Sequence, residues 1–320
     1  MPPTRQQKRE YAKALDIQRR KLAKLAEGKS VRQIKTLYDA AQAELARKIR
    51  RTAEREATFT AFQQRQLLAQ VRQGQALIAK RMAGDLGDLS KKAQVDSLRG
   101  LISNFTEMEE MFTGAAPVLP IEEASRFWGV IDERRSSLLK QHEVSMNRYG
   151  GALVGDMEKH LAVSLATGET VDQAIDRIEE VADVKWYQAE RIVRTEQSFA
   201  YNATHIDGIT DIAQDIDDMY MRWTEFVTDE GVPMDDRVGA DSIVMHGQVT
   251  RPGRGWTVPD DAEPVMIGDK VREVSSSLLG KTVFVAPLRP NGREVITGWR
   301  PSWGGLAWTY INGRKEILSR

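Results

Sequence analysis

At 320 residues, with 29% charged and 41% hydrophobic side chains, the chain is long enough for two domains that each bury a core. It contains no cysteine, which excludes disulfides, thiolate zinc ligands and thiol nucleophiles. No run of about 18 apolar residues exists and the first ten residues lack the apolar core of a signal peptide, so the expectation is a soluble protein without a membrane partner. Formal net charge is zero but unevenly spread: residues 1–60 hold 16 Lys or Arg against 7 Asp or Glu, and residues 205–240 hold 10 acidic residues against Arg222 and Arg237.

In chain order, residues 5–27 read as a helix with Tyr11, Leu15, Ile17, Leu22 and Leu25 on a loose stripe and a stop at Gly28. Ser30 fits an N-cap for a second helix, where Ile34, Leu37, Tyr38, Ala41, Leu45 and Ile49 recur at three and four. A third helix is predicted from about 57 to 83 and a fourth from 88 to 112. Gly114–Pro120 breaks the pattern. Helices follow over 121–146 and 151–165, then a Thr167-Gly-Glu-Thr170 turn and a helix carrying Val171, Ala174, Ile175 and Ile178. An acidic link at 179–183 leads to a further helix over roughly 183–206.

That last helix has a carboxylate in the wrong place. Ala189, Ile192, Val193, Phe199, Ala200, Ala203 and Ile206 fall on one stripe at about 100° per residue, with Glu196 in its middle; Arg194, Ser198 and Tyr201 fall on the far side. A carboxylate on an apolar face costs several kcal/mol, in order of magnitude, unless it is paired. Three readings stand: a structural ion pair, with Arg237, Arg293 or Arg300 as the candidate cation; a catalytic carboxylate; or an exposed Glu on a partly open face.

After residue 217 the sequence changes kind. Five of seven tryptophans and seven of eleven prolines lie beyond residue 220. Residues 219–227 alternate as a strand does, and Thr282–Val285 and Glu294–Thr297 suggest two more. The fold expected is mainly α with a small C-terminal α+β module, in three consecutive parts: a basic helical region over 1–116, a helical core over 117–217 and a Trp-rich module over 218–320. Trp299, Trp303 and Trp308 suit a core or a protein-binding surface.

Chemistry-bearing residues are few. His246 with Asp241 has the types of a base and its orienting group, yet Ser242 is not in a nucleophile elbow. The four histidines show no ligand spacing, and Asp229, Glu230, Asp235 and Asp236 lack the alternation of a calcium loop. Arg251–Gly255 is a turn rather than a phosphate loop. No catalytic residue, metal site or cofactor is therefore assigned. Basic residues on the first two helices suit either a solvated face or contact with nucleic acid.

The order Arg194-Thr195-Glu196, Asn202, Trp223, Asp236-Arg237, His246-Gly247 resembles the Mu F-like phage head-morphogenesis family, whose members carry an Arg-Thr-Glu helix, a Trp, an Asp-x-Arg-like turn and a His before a Gly. The stretch Pro287–Glu294, with Pro290, Asn291 and Arg293, and then Trp299, occupies the place of a family Pro-x-His-Pro-Asn-Cys-Arg-Cys stretch. This chain has Arg289 in place of that His and neither cysteine. The resemblance covers roughly residues 150–300. It implies a non-enzymatic minor head protein made in the host cytoplasm and built into the virion in several copies. Its partners would be the portal protein or the major capsid protein, with packaged DNA against the basic N-terminal helices and release with the DNA as one fate. Rival readings are a DNA-associating protein that works through those helices, and a toxin-like effector or metal-dependent hydrolase using His246 and the acidic loop.

Overall fold

The computed structural model describes residues 29–53, 61–114, 124–166, 171–225, 227, 238–289, 292, 294–304, 306–311 and 313–319. The expected helix over 5–27, most of the 114–120 break, the 167–170 turn and the acidic loop over 228–237 lie outside the described residues, as do Asp236, Arg237, Pro290, Asn291 and Arg293.

The fold is mainly α with a small C-terminal module of short antiparallel strands. Among the described residues, four long helices precede the strands: α1 (Lys29–Ala53), α2 (Ala61–Thr113), α3 (Ala124–Ala166) and α4 (Val171–Ile212). Among the described residues, no helix is long and apolar enough to cross a membrane.

These helices are longer than expected. The predicted pairs 57–83 and 88–112, 121–146 and 151–165, and the two on either side of 179–183, are each one continuous helix. The apparent punctuation has another cause. An added Cβ at Gly87 would come within 2.4 Å of Leu139, and one at Gly150 within 3.1 Å of Ala79. Glycine at these two positions lets helices approach closely instead of ending them, and the apolar stripe keeps its phase across both.

By packing, the chain forms two compact units, each discontinuous in sequence. The helix-bundle unit holds the described residues of Glu27–Leu89 and Ser136–Glu196. Its core includes Ile34, Tyr38, Ile78, Met82, Leu86, Met146, Leu153, Met157, Ala189 and Val193. Helix α1 turns Val31, Ile34, Tyr38, Gln42 and Ala46 inward, a spacing of three and four that gives one buried face. Contacts run in opposite directions along neighbouring helices. Gln75 meets Met157 while Gly87 meets Leu139, and Ser145 meets Glu196 while Asp156 meets Lys185. The Tyr38 hydroxyl donates to the Ala182 carbonyl (2.9 Å), and Lys35 lies over the Trp186 ring.

The helix–sheet unit holds the described residues of Ser90–Arg135 and Gln197–Arg320. Here β1 (Tyr220–Thr224) is the middle strand of an antiparallel three-stranded sheet, between β2 (Val249–Thr250) and β7 (Val295–Trp299). A short helix, α5 (Ala240–Ile243), precedes β2. Three two-stranded pairs complete the module: β3 (Trp256–Thr257) with β6 (Thr282–Val283), β4 (Val265–Ile267) with β5 (Lys270–Arg272), and β8 (Ala307–Ile311) with β9 (Arg314–Ser319). Trp223, Trp256, Trp299 and Trp303 share one apolar cluster with Leu98, Leu101, Phe105, Ile209 and Ile212. Of the two uses expected for Trp299, Trp303 and Trp308, the core is the one observed, since all three are buried.

The far side of the 183–206 stretch departs from expectation. Ser198 and Tyr201 are buried, as is every residue from Ala200 to His205. Within this unit α4 packs against the sheet and against α2, so both of its sides are covered, and an amphipathic pattern cannot report that.

Candidate functional site: a buried polar junction of helix and sheet

Asn202 is the centre of the junction. Its Nδ2 donates to the Glu294 carbonyl at 2.8 Å, and its Oδ1 accepts from the Ile296 N–H at 2.9 Å. Residues two apart on a strand present their backbone groups to the same side. One primary amide offers a donor and an acceptor at matching spacing, so it stands in for a neighbouring strand. A fully buried Asn needs such partners, and here it ties α4 to β7.

Trp223, on β1, packs edge-on against Trp256, and its indole N–H donates to Ser242 Oγ at 3.1 Å. Its carbonyl accepts the Gly247 N–H at 2.9 Å. Gly247 has φ +80°, the left-handed conformation that turns the chain from α5 into β2. His246 precedes it; its Nδ1 accepts the Glu225 N–H at 3.1 Å, and its carbonyl accepts the Trp308 indole N–H at 2.8 Å. The His-Gly pair is thus a turn held from three sides. Trp299 closes the far end of β7, with its indole N–H donating to the Gly304 carbonyl at 2.7 Å.

Asp241 does not orient His246, contrary to the pairing considered from sequence. One of its oxygens takes the Arg289 guanidinium through Nε (2.7 Å) and Nη2 (2.6 Å), and the other accepts the Ser275 N–H at 2.6 Å. Arg289 is therefore a clamp on a buried carboxylate. Guanidinium suits that role because its donors lie in one fixed plane.

Glu294 is a buried carboxylate that sequence reading missed. Burial pushes it above the usual carboxylate range, opposed by backbone N–H groups, Ser242 and the Arg289 charge. The signal was present: like Glu196, it is an acidic residue beside an apolar run, Val295–Ile296.

Arg194, Thr195 and Glu196 belong to the helix-bundle side of α4. Arg194 pairs with Glu190 one turn back at 2.6 Å, and Thr195 returns its hydroxyl to the Arg191 carbonyl. Glu196 has no arginine partner among the described residues. Gln141 Nε2 and Ser145 Oγ donate to its two oxygens, each at 2.9 Å. His142 Nε2 is 3.5 Å away, but burial lowers this imidazole to about 4, so it is neutral near pH 7 and no ion pair forms. Burial raises the Glu196 carboxyl, against the two donors. Among the described residues its donors are neutral and one turn apart on α3, and they meet both oxygens without desolvating a second charge; the candidate cations Arg237 and Arg293 lie outside the described residues.

Arg300, one of the three candidate cations, is committed within its own unit. It bridges Glu109 and Asp218, at 2.7 Å each, while the Trp303 indole N–H adds a bond to Glu109 at 2.9 Å. This network pins the short 3-10 turn Pro301–Trp303 to α2. Among the described residues, no group of three or more His, Cys, Asp or Glu is arranged to hold a metal ion.

Comparison of the chain with protein-family models, with curated proteins and with solved structures gives no match to any of them.

Proposed function

We propose that this chain is a minor head protein of a phage, a non-enzymatic component of the capsid that acts in head morphogenesis beside the portal. The observation that carries the reading is the engagement of the resembling residues. Asn202, Trp223, His246, Gly247 and Trp299 are scattered over almost a hundred positions, yet each is tied into one helix–sheet junction. Residues that hold a module together are what a motif shared by assembly proteins would preserve. Imidazole and carboxylate here serve backbone and guanidinium partners, which favours a structural role for His246 and Asp241. Long helices supply extended faces for portal or capsid contacts, and the basic N-terminal region suits packaged DNA.

The test is quantitative mass spectrometry of purified particles before and after triggered DNA release. Presence in full heads and loss from emptied ones identifies an internal protein ejected with the genome. Presence in both identifies a fixed portal or capsid component, and absence from all particles overturns a virion role.

A further inference from the structure

The interface between α2 and α4 inside the helix–sheet unit is polar where a helix pair is usually apolar. Ser97 from α2 meets Tyr201 and His205 from α4, with Gln94 one turn from Ser97 and Gln197 and Thr204 one turn from Tyr201; each of the six is at most 2% exposed. Both sets fall at helical spacing on one stripe. The stripes are in register: Ser97 reaches Tyr201 and His205, and the Tyr201 hydroxyl faces Gly100. Six side-chain atoms along this seam have no hydrogen-bond partner among the described residues: both amide ends of Gln94, Gln197 Oε1, the Tyr201 hydroxyl, Thr204 Oγ1 and His205 Nε2.

The protonation pattern follows from Ser97. Its hydroxyl has one proton, which goes to the Tyr201 carbonyl at 2.9 Å because a carbonyl only accepts. The 3.1 Å contact between Ser97 Oγ and His205 Nδ1 must then be donated by the histidine. Full burial keeps this imidazole neutral, so Nδ1 carries its single proton and Nε2 is a bare acceptor. An acceptor inside the protein needs a donor, and so does Gln197 Oε1, while the Gln94 amide, Tyr201 and Thr204 have protons to give.

We propose that this seam binds internal water, with one molecule donating to His205 Nε2 and further water joining the Tyr201, Thr204, Gln94 and Gln197 groups. Water both donates and accepts, and buried water characteristically makes about three bonds to groups otherwise left unpaired.

A high-resolution crystal structure of the full chain tests the proposal directly. The expected result is ordered solvent within hydrogen-bonding distance of His205 Nε2, and a seam without solvent density there overturns it. Thermal unfolding of Tyr201→Phe gives a second readout. A hydroxyl bonded to water is lost at a cost, lowering the midpoint by about 2–4 °C, whereas removing a dry, unpartnered hydroxyl raises it. Thr204→Val, which keeps the shape, follows the same sign; an increase in both midpoints overturns the proposal. Nitrogen NMR of the imidazole is expected to report the Nδ1–H tautomer, and an Nε2–H tautomer contradicts the assignment.

Discussion

The two units solve the same problem, a carboxylate buried among apolar neighbours, by different means. In the helix bundle, the described partners of Glu196 are an amide and a hydroxyl, beside a neutral histidine. In the helix–sheet unit, Asp241 takes a guanidinium and a backbone N–H. Long regular helices use up their own backbone donors, so a buried acid there must find side chains on the neighbouring helix. A module of short strands and turns leaves backbone N–H groups and exposed arginines within reach. The kind of secondary structure decides what sort of partner a buried charge can have.

The largest effect is expected from Trp223→Ala, which removes a fully buried indole and its bond to Ser242. Denaturant unfolding should show a loss of about 3–5 kcal/mol. Hydrogen exchange should place the lost protection in the sheet first; uniform loss through both units would remove the distinction between them.

Acid should weaken both units through one histidine each. Burial lowers His142 and His205 from 6.5 to about 4, so between those values the unfolded chain binds the proton and the folded chain does not. Stability is thus complete above pH 6.5 and falls as pH drops toward 4, by up to roughly 3 kcal/mol for each histidine. Replacing either one by Gln should flatten its share of the slope in a pH series of unfolding midpoints. An unchanged slope would mean that the imidazole is already charged in the fold.

Asn202→Asp keeps the acceptor for Ile296 N–H but turns a second oxygen toward the Glu294 carbonyl, and should cost about 2–3 kcal/mol. Asn202→Ala should cost somewhat less, since it leaves two backbone groups unpaired but adds no repulsion. The smallest difference sharpens the comparison most. Arg289→Gln strands the buried Asp241 charge and should cost about 2 kcal/mol, reduced by the partial exposure of the guanidinium. Glu196→Gln keeps its neutral partners in reach and should cost about 1 kcal/mol or less. Equal losses in the two variants would erase the contrast.

Much of this was legible in the sequence, for a physical reason in each case. The helical start, the Trp-rich end and the strand at 219–227 are periodicity signals that local packing preserves. The odd position of Glu196 was visible because a carboxylate interrupts an apolar stripe. Its partners were not, since Gln141 and Ser145 look like any exposed pair until α3 is laid against α4. The gaps predicted between 83 and 88 and between 146 and 151 are continuous helix, and Gly87 and Gly150 within them mark close approach between helices. The burial of Ser198, Tyr201 and His205 was hidden for the opposite reason: helix periodicity reports one apolar face, and a second, polar face can be covered as well. Arg289, the partner of Asp241, was hidden because it lies 48 positions away.

Asn202 has one more consequence. The strand β7 ends its sheet, and a terminal strand offers free N–H and C=O groups to any extended chain that passes. By occupying the Glu294 carbonyl and the Ile296 N–H, a single amide removes the two positions from which an intruding strand would begin to zip.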